Sequence, residues 1–145
     1  MAKKKTEKIK KPKIVFTTGK RKTAVARSTI RPGMGRVVIN DIPLDLWQPE
    51  YSRVRIREPL ILAGDLSQSV DITVNVKHGG ISSQANAVRQ AIAKGMVEFF
   101  NDENLKKVYL DYDRNLLVYD PRRTEPHKPS RSKKGSRRHK QRSKR

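Results

Sequence analysis

The stretch TTGKRKTAVAR, residues 17–27, sets Lys20, Arg21 and Lys22 directly after a glycine and adds Arg27 further along. A loop that cradles a nucleotide phosphate needs another glycine five residues before its Gly-Lys-Ser/Thr, so that successive backbone N–H groups converge on the anion. Ile14 stands at that position and Arg21 follows Lys20, so ATP binding does not fit. A β-turn crowded with cations fits better: Lys20, Arg21, Lys22 and Arg27 form an edge aimed at phosphates. A merely solvated edge is the alternative that these residues leave open.

A second candidate is KHGGISSQ, residues 77–84. Gly79 and Gly80 lack Cβ atoms and let a phosphodiester approach the backbone, and the unpaired N–H groups of a following helix favour an anion. Ser82, Ser83 and Gln84 add neutral donors. An ordinary tight loop with a serine cap explains the same residues equally well. Arg89 and Lys94, beyond the loop, extend this surface or are simply solvated.

Catalytic and metal chemistry find no support. His78, His127 and His139 are scattered, cysteine is absent, and Asp111 with Asp113 or Asp102 with Glu103 read as helix-end caps rather than acid–base pairs. No cofactor, no metal and no enzymatic activity are therefore expected. A phosphoryl-transfer or RNA-processing enzyme would need a carboxylate cluster or a complete phosphate loop.

Charge is the strongest feature. The chain of 145 residues carries a formal net charge of +20, unevenly placed. Residues 1–13 hold seven lysines against one glutamate, and the last eighteen residues hold ten Lys or Arg with no acid. Between them, residues 14–127 have seventeen basic against thirteen acidic side chains. This predicts a nearly balanced domain over 14–127, with a basic N-terminal tail, 1–13, and an extended basic C-terminal tail, 128–145. Such arms cannot offset an ordering cost of ~1–2 kcal/mol per residue without a partner of opposite charge, and alone in solution the C-terminal one is expected to lack fixed structure. Nucleic acid is the natural partner; a membrane is not, because the arms lack Trp, Phe and Leu. The absence of cysteine, of an apolar leader and of a run of ~20 apolar residues points to the cytoplasm.

The elements that position these residues follow from periodicity. SVDITVNVKH alternates Val70, Ile72, Val74 and Val76 with polar residues, a strand with one buried face. The stretch TAVARSTIRPGMGRVVIN reads as a hairpin of two strands about Pro32, Gly33 and Gly35. Residues 49–65 read as two short helices interrupted at Pro59. Ile81, Ala85, Val88, Ile92, Met96 and Phe99 form the apolar stripe of a long helix, ENLKKVYLDYD repeats the pattern weakly, and Pro121, Pro126 and Pro129 end regular structure. The expected fold is α+β: a two-layer sandwich of one mixed or antiparallel sheet, about four strands, with helices on one face.

Taken in order, TGKRKTAVAR, RPGMGRVVIN, REPLILAGD, VNVKHGGISSQANAVRQAIAKGM and DYDRNLLVYDPRRTEP, followed by a basic arm closing in SKR, run from Thr18 to Arg145. Together they resemble the ninth small-subunit ribosomal protein family, in its archaeal and eukaryotic branch. The resemblance implies a non-catalytic component of the small-subunit head, cytoplasmic and ribosome-bound, whose α+β domain packs on ribosomal RNA. Its implied partners are small-subunit rRNA, peptidyl-site tRNA and neighbouring head proteins, with no membrane and no homo-oligomer. Carried onto this sequence, Lys20, Arg21, Lys22, Arg27, Gly79, Gly80, Gln84 and Arg89 become rRNA contacts. So do Arg122, Arg123, Lys128, Arg131, Lys133, Lys134, Arg137, Arg138, Lys140 and Arg142 where the arm threads between RNA helices. Lys144 and Arg145 become the tRNA contacts, and Lys144 stands where that branch usually has a tyrosine. The competing reading is a free-standing basic nucleic-acid-binding protein of chromatin or RNA processing.

Overall fold

The computed structural model describes residues 13–129, 134 and 135. The arm cations Arg131, Lys133, Arg137, Arg138, Lys140, Arg142, Lys144 and Arg145, and the N-terminal tail up to residue 12, lie outside the described residues, and so does the expectation that the arm lacks fixed structure.

Five strands form one mixed sheet: β1 (Val15–Arg21), β2 (Ala24–Pro32), β3 (Val37–Ile39), β4 (Ile42–Pro43) and β5 (Val70–Lys77), in the order β1-β2-β5-β3-β4. Three helices accompany them: α1 (Glu50–Ala63), α2 (Ile81–Phe100) and α3 (Glu103–Tyr112). The α+β class and the one-sided packing agree with the sequence. In β5, Val70, Ile72, Val74 and Val76 are buried while Thr73, Asn75 and Lys77 are exposed.

The expected hairpin between residues 24 and 39 is not there. β2 and β3 do not pair; β5 runs between them, antiparallel to β2 and parallel to β3. The glycine loop spans a strand's width because β5 holds it. The Asp71 carboxylate accepts the backbone N–H of Met34 (2.9 Å) and of Arg36 (3.0 Å), and Gly33 N–H donates to the Ser69 carbonyl (3.0 Å). Those N–H groups, Arg36 first, hold the Asp71 carboxyl below its ordinary pKa. The true hairpin is β1–β2, with Arg21 opposite Ala24 and Lys22 turning at φ +54°.

A second correction concerns Pro59. The expected pair of short helices is one helix, α1, which continues through the proline despite the backbone hydrogen bond it cannot donate. Burial holds it together: Ile56, Pro59 and Ala63 face inward, and the buried Tyr109 hydroxyl of α3 donates to the Pro59 carbonyl (2.8 Å). Desolvation raises the pKa of that phenol.

The long helix α2 lies on β1, β2 and β5, with α1 and α3 packed against it. Of the expected stripe, Ala85, Val88, Ile92 and Met96 are buried, Phe99 is half-buried and Ile81 is exposed. A second line, Ala87, Ala91 and Gly95, meets β1 and β2 almost backbone to backbone. A Cβ on Gly19 would fall 2.0 Å from the Ala87 carbonyl oxygen, and one on Gly95 would fall 2.5 Å from Ile30 Cδ1. Within this seam the Thr17 hydroxyl donates to the Ala91 carbonyl (2.8 Å) and lies 2.6 Å from Ser28 Oγ.

Because backbone blocks the space, Gly19→Ala is expected to cost about 1–3 kcal/mol. Gly80→Ala, whose added Cβ meets nothing, should change stability by less than about 0.5 kcal/mol. Urea unfolding of both variants measures the difference, and equal stabilities would contradict the close seam.

Candidate nucleic-acid interface

The β1–β2 hairpin carries the first group of candidates, and the fold separates them. Side chains of β1 alternate between the α2 side, where Thr17 and Gly19 are buried, and the opposite side, where Thr18 and Lys20 are exposed. Lys22 at the turn is exposed, as is Arg27 in β2. Arg21 behaves differently: its guanidinium lies 2.9 Å from Asp120 with 18% of the side chain accessible, so its charge is already matched.

Asp120 lies in the segment after the last helical turn, Arg114–Leu116, on the way to the C-terminal arm. Its nearly buried carboxylate also takes the Arg122 side chain (2.7 Å) and accepts the Arg122 backbone N–H (3.0 Å). The Arg122 side-chain hydrogen bonds, then its backbone N–H, hold the carboxyl down to a pKa of about 2. Arg122 remains largely exposed, and Arg123 lies over the Tyr119 ring and donates to its hydroxyl (3.1 Å). The buried Gln90 fastens the same segment from beneath: its side-chain oxygen accepts the Lys20 backbone N–H (2.9 Å), and its amide nitrogen donates to the Val118 carbonyl (2.8 Å). Beyond it, Lys128 and Lys134 are exposed.

Arg89 is likewise enclosed. It sits 2.6 Å from Glu58 of α1 and 2.8 Å from Asp113 after α3, with 12% of its side chain accessible. Burial raises the pKa of Asp113, but the Asn115 N–H and Arg89 outweigh it and the net direction is down. Arg21, Glu58, Arg89, Asp113, Asp120 and Arg122 thus line one cleft of about 450 Å³ in which every carboxylate faces an arginine. The other acidic pair caps a helix as expected, with Asp102 accepting the Asn104 N–H (2.8 Å). Among the described residues no group of three or more His, Cys, Asp or Glu is placed to hold a metal, and no helix is long and apolar enough to cross a membrane.

The loop before α2 adjoins the hairpin. His78 and Gly79 have φ of +63° and +73°, and a Cβ on Gly79 would come within 2.9 Å of Ala24 Cβ. Close approach at Gly79 therefore serves the fold. Gly80 is the N-cap and has open space where a Cβ would be; no side chain caps α2, so the serine-cap alternative does not describe it. Gln84, half-buried, donates to the His78 carbonyl (3.1 Å).

Lys20, Lys22, Gly79 and Gly80 thus gather at one end of the sheet. Lys77, opposite Val25, joins them, and Arg27, opposite Asn75, continues along the helix-free face to Arg31. A hollow of about 210 Å³ lies among Val25, Arg27, Asn75, Lys77 and His78. Among the described residues Lys20, Lys22, Arg27, Arg31 and Lys77 have no ion-pair partner. Arg31 and Lys77 were missed as candidates, although their alternation with Ile30 and Val76 was the signal for their outward placement.

The matched and unmatched cations both fall within residues 19–145, over which the chain matches the family model described as ribosomal protein S9/S16. The chain belongs to the ribosomal protein S9/S16 family. Archaeal relatives agree. The small ribosomal subunit protein uS9 of Methanococcus maripaludis strain S2 is 50% identical over 131 residues, covering 90% of this chain and 98% of its own. Those of Desulfurococcus amylolyticus and Pyrobaculum aerophilum are each 55% identical over 118 residues, covering 81% of this chain and 84% and 83% of theirs. The S9/S16 span begins at Gly19, the glycine seated against α2, and runs through the Asp120 junction to the last residue.

The Asp120 junction has an acid signature. A carboxyl held below its ordinary value of 3.8 stabilises the fold fully above that value, and the contribution is lost as pH falls from there through about 2. Asp120→Asn should lower stability at neutral pH and flatten the decline in that acid window. Urea midpoints measured across it test this; an unchanged acid limb would contradict it.

Proposed function

We propose that this S9/S16-family chain is a structural component of the small ribosomal subunit, acting in the cytoplasm, that binds its ribosomal RNA and touches peptidyl-site tRNA. The supporting observation is the sorting of charge. Arg21 and Arg89, enclosed beside carboxylates, hold the fold together, whereas Lys20, Lys22, Arg27, Arg31 and Lys77, without ion-pair partners among the described residues, share the hairpin end and the helix-free face. Arg supplies forked contacts to phosphate and Lys point charges.

In this reading residues 14–127 are the RNA-binding domain, and residues 1–13 and 128–145 are arms ordered by RNA. Lys20, Lys22 and Arg27 contact phosphate, with the Gly80 backbone open to close approach and Gln84 shaping the loop. Arg21 and Arg89 contribute by holding the arm's exit and α2 in place. Arg122, Arg123, Lys128, Arg131, Lys133, Lys134, Arg137, Arg138, Lys140 and Arg142 follow the rRNA backbone, and Lys144 and Arg145 reach the tRNA. Neighbouring proteins of the subunit head complete the set of partners.

Sedimentation tests the first part: the tagged chain should co-migrate with small subunits after a high-salt wash, and release into the free fraction would contradict it. Deleting Ser143–Arg145 tests the second. Few of many phosphate contacts are lost, so assembly should persist while tRNA retention in the peptidyl site falls; unchanged retention would remove Lys144 and Arg145 from the site.

A further inference from the structure

We propose that the helix-free face of the sheet is a platform for an unpaired stretch of RNA, with the exposed Phe16 ring as the stacking surface for a base. The inference rests on the RNA-binding reading above and specifies the form of RNA this face takes.

Phe16 is 72% exposed in an outer strand, where its ring adds little to the core. Alternation puts it on the face opposite α2, with Thr18 and Lys20. Its direct partner across the sheet is Thr29, and the diagonal positions in β2 are Arg27 and Arg31. Diagonal neighbours lie roughly 7–8 Å apart, within reach of a long side chain. A base lying on the ring would therefore have an arginine on either side for the adjoining phosphates.

The rest of the face has the same chemistry. Across from Thr29 is Thr73, and across from Arg27 is Asn75, both exposed and both able to donate and accept hydrogen bonds. Lys77 closes the row at the hairpin end. The carboxylate that β5 contributes, Asp71, is engaged by the N–H groups of Met34 and Arg36. Around the outer edge of β1, Phe16 and Thr18 share a groove of about 550 Å³ with Lys94, Lys106, Glu98 and Leu117, again with cations in excess.

An aromatic ring among unpaired cations and neutral donors is the arrangement that holds single strands, since every base offers a π-face and the backbone follows the charge. Duplex RNA keeps its bases stacked and offers such a ring nothing. The other occupants within reach are disfavoured by sign. The chain's own arms are cationic, and a second copy would bring an equally cationic face, so both are repelled.

Full-length chain is titrated against a fluorescein-labelled twelve-nucleotide oligouridylate and a twelve-base-pair RNA duplex, at about 0.3 M salt where the arms' phosphate contacts are weakened. Phe16→Ala should weaken single-strand binding by about 5- to 100-fold, leaving duplex affinity and the salt slope unchanged, while Phe16→Tyr retains binding. Arg27→Ala with Arg31→Ala should instead reduce the single-strand salt slope. Equal single-strand affinity of Phe16→Ala and the parent, or an equal loss for strand and duplex, would overturn the inference while leaving RNA binding itself in place. A parent chain that binds neither RNA would overturn both.

Discussion

The close seating of α2 on the first hairpin is the constraint on which the rest of the structure depends. Gly19, Ala87, Ala91 and Gly95 bring helix and strand together with almost no side chain between them, and Thr17 and Ser28 satisfy their hydroxyls inside the seam. A gap there would forfeit dispersion contacts and leave two hydroxyls in an apolar layer. Packing this tight fixes which face of the sheet is covered. The other face is then determined residue by residue, because a strand's side chains alternate.

This division puts these cations in two separate settings. On the helix side, Arg21 and Arg89 are enclosed, and the carboxylates beside them keep their charge from being buried alone, a state that would be strongly unfavourable. These pairs fasten α1, α2, the segment after α3 and the point where the C-terminal arm departs. On the open side, Lys20, Lys22, Arg27, Arg31 and Lys77 are exposed and, among the described residues, lack ion-pair partners, so like charges repel across that surface. One net charge therefore hides a paired, enclosed population and an unpaired, exposed one.

Much of this was legible in the sequence, and what was not has identifiable causes. The β5 alternation and the core positions of α2 followed from periodicity, which reports the face a residue occupies. Periodicity does not report which strand lies next to which, and so β2 and β3 were joined across a loop that Asp71 in fact holds open over β5. Pro59 looked like a break because the hydroxyl that engages its carbonyl belongs to Tyr109, fifty residues away. For the same reason Arg89 read as a surface cation: Glu58 and Asp113 reach it only in the folded chain. The candidates at the hairpin and at Gly79–Gly80 came from residue type and spacing, and the fold brings them together because Ala24 lies directly under Gly79.

The division of charge is most directly tested by lysine acylation read by mass spectrometry, comparing the free chain with the chain in assembled small subunits. Lys20, Lys22 and Lys77 should react readily in the free chain and become protected on assembly, while Lys107, exposed on α3 away from that face, stays reactive. Unchanged reactivity at Lys20 and Lys77 in the assembled particle would show that RNA does not cover the helix-free face.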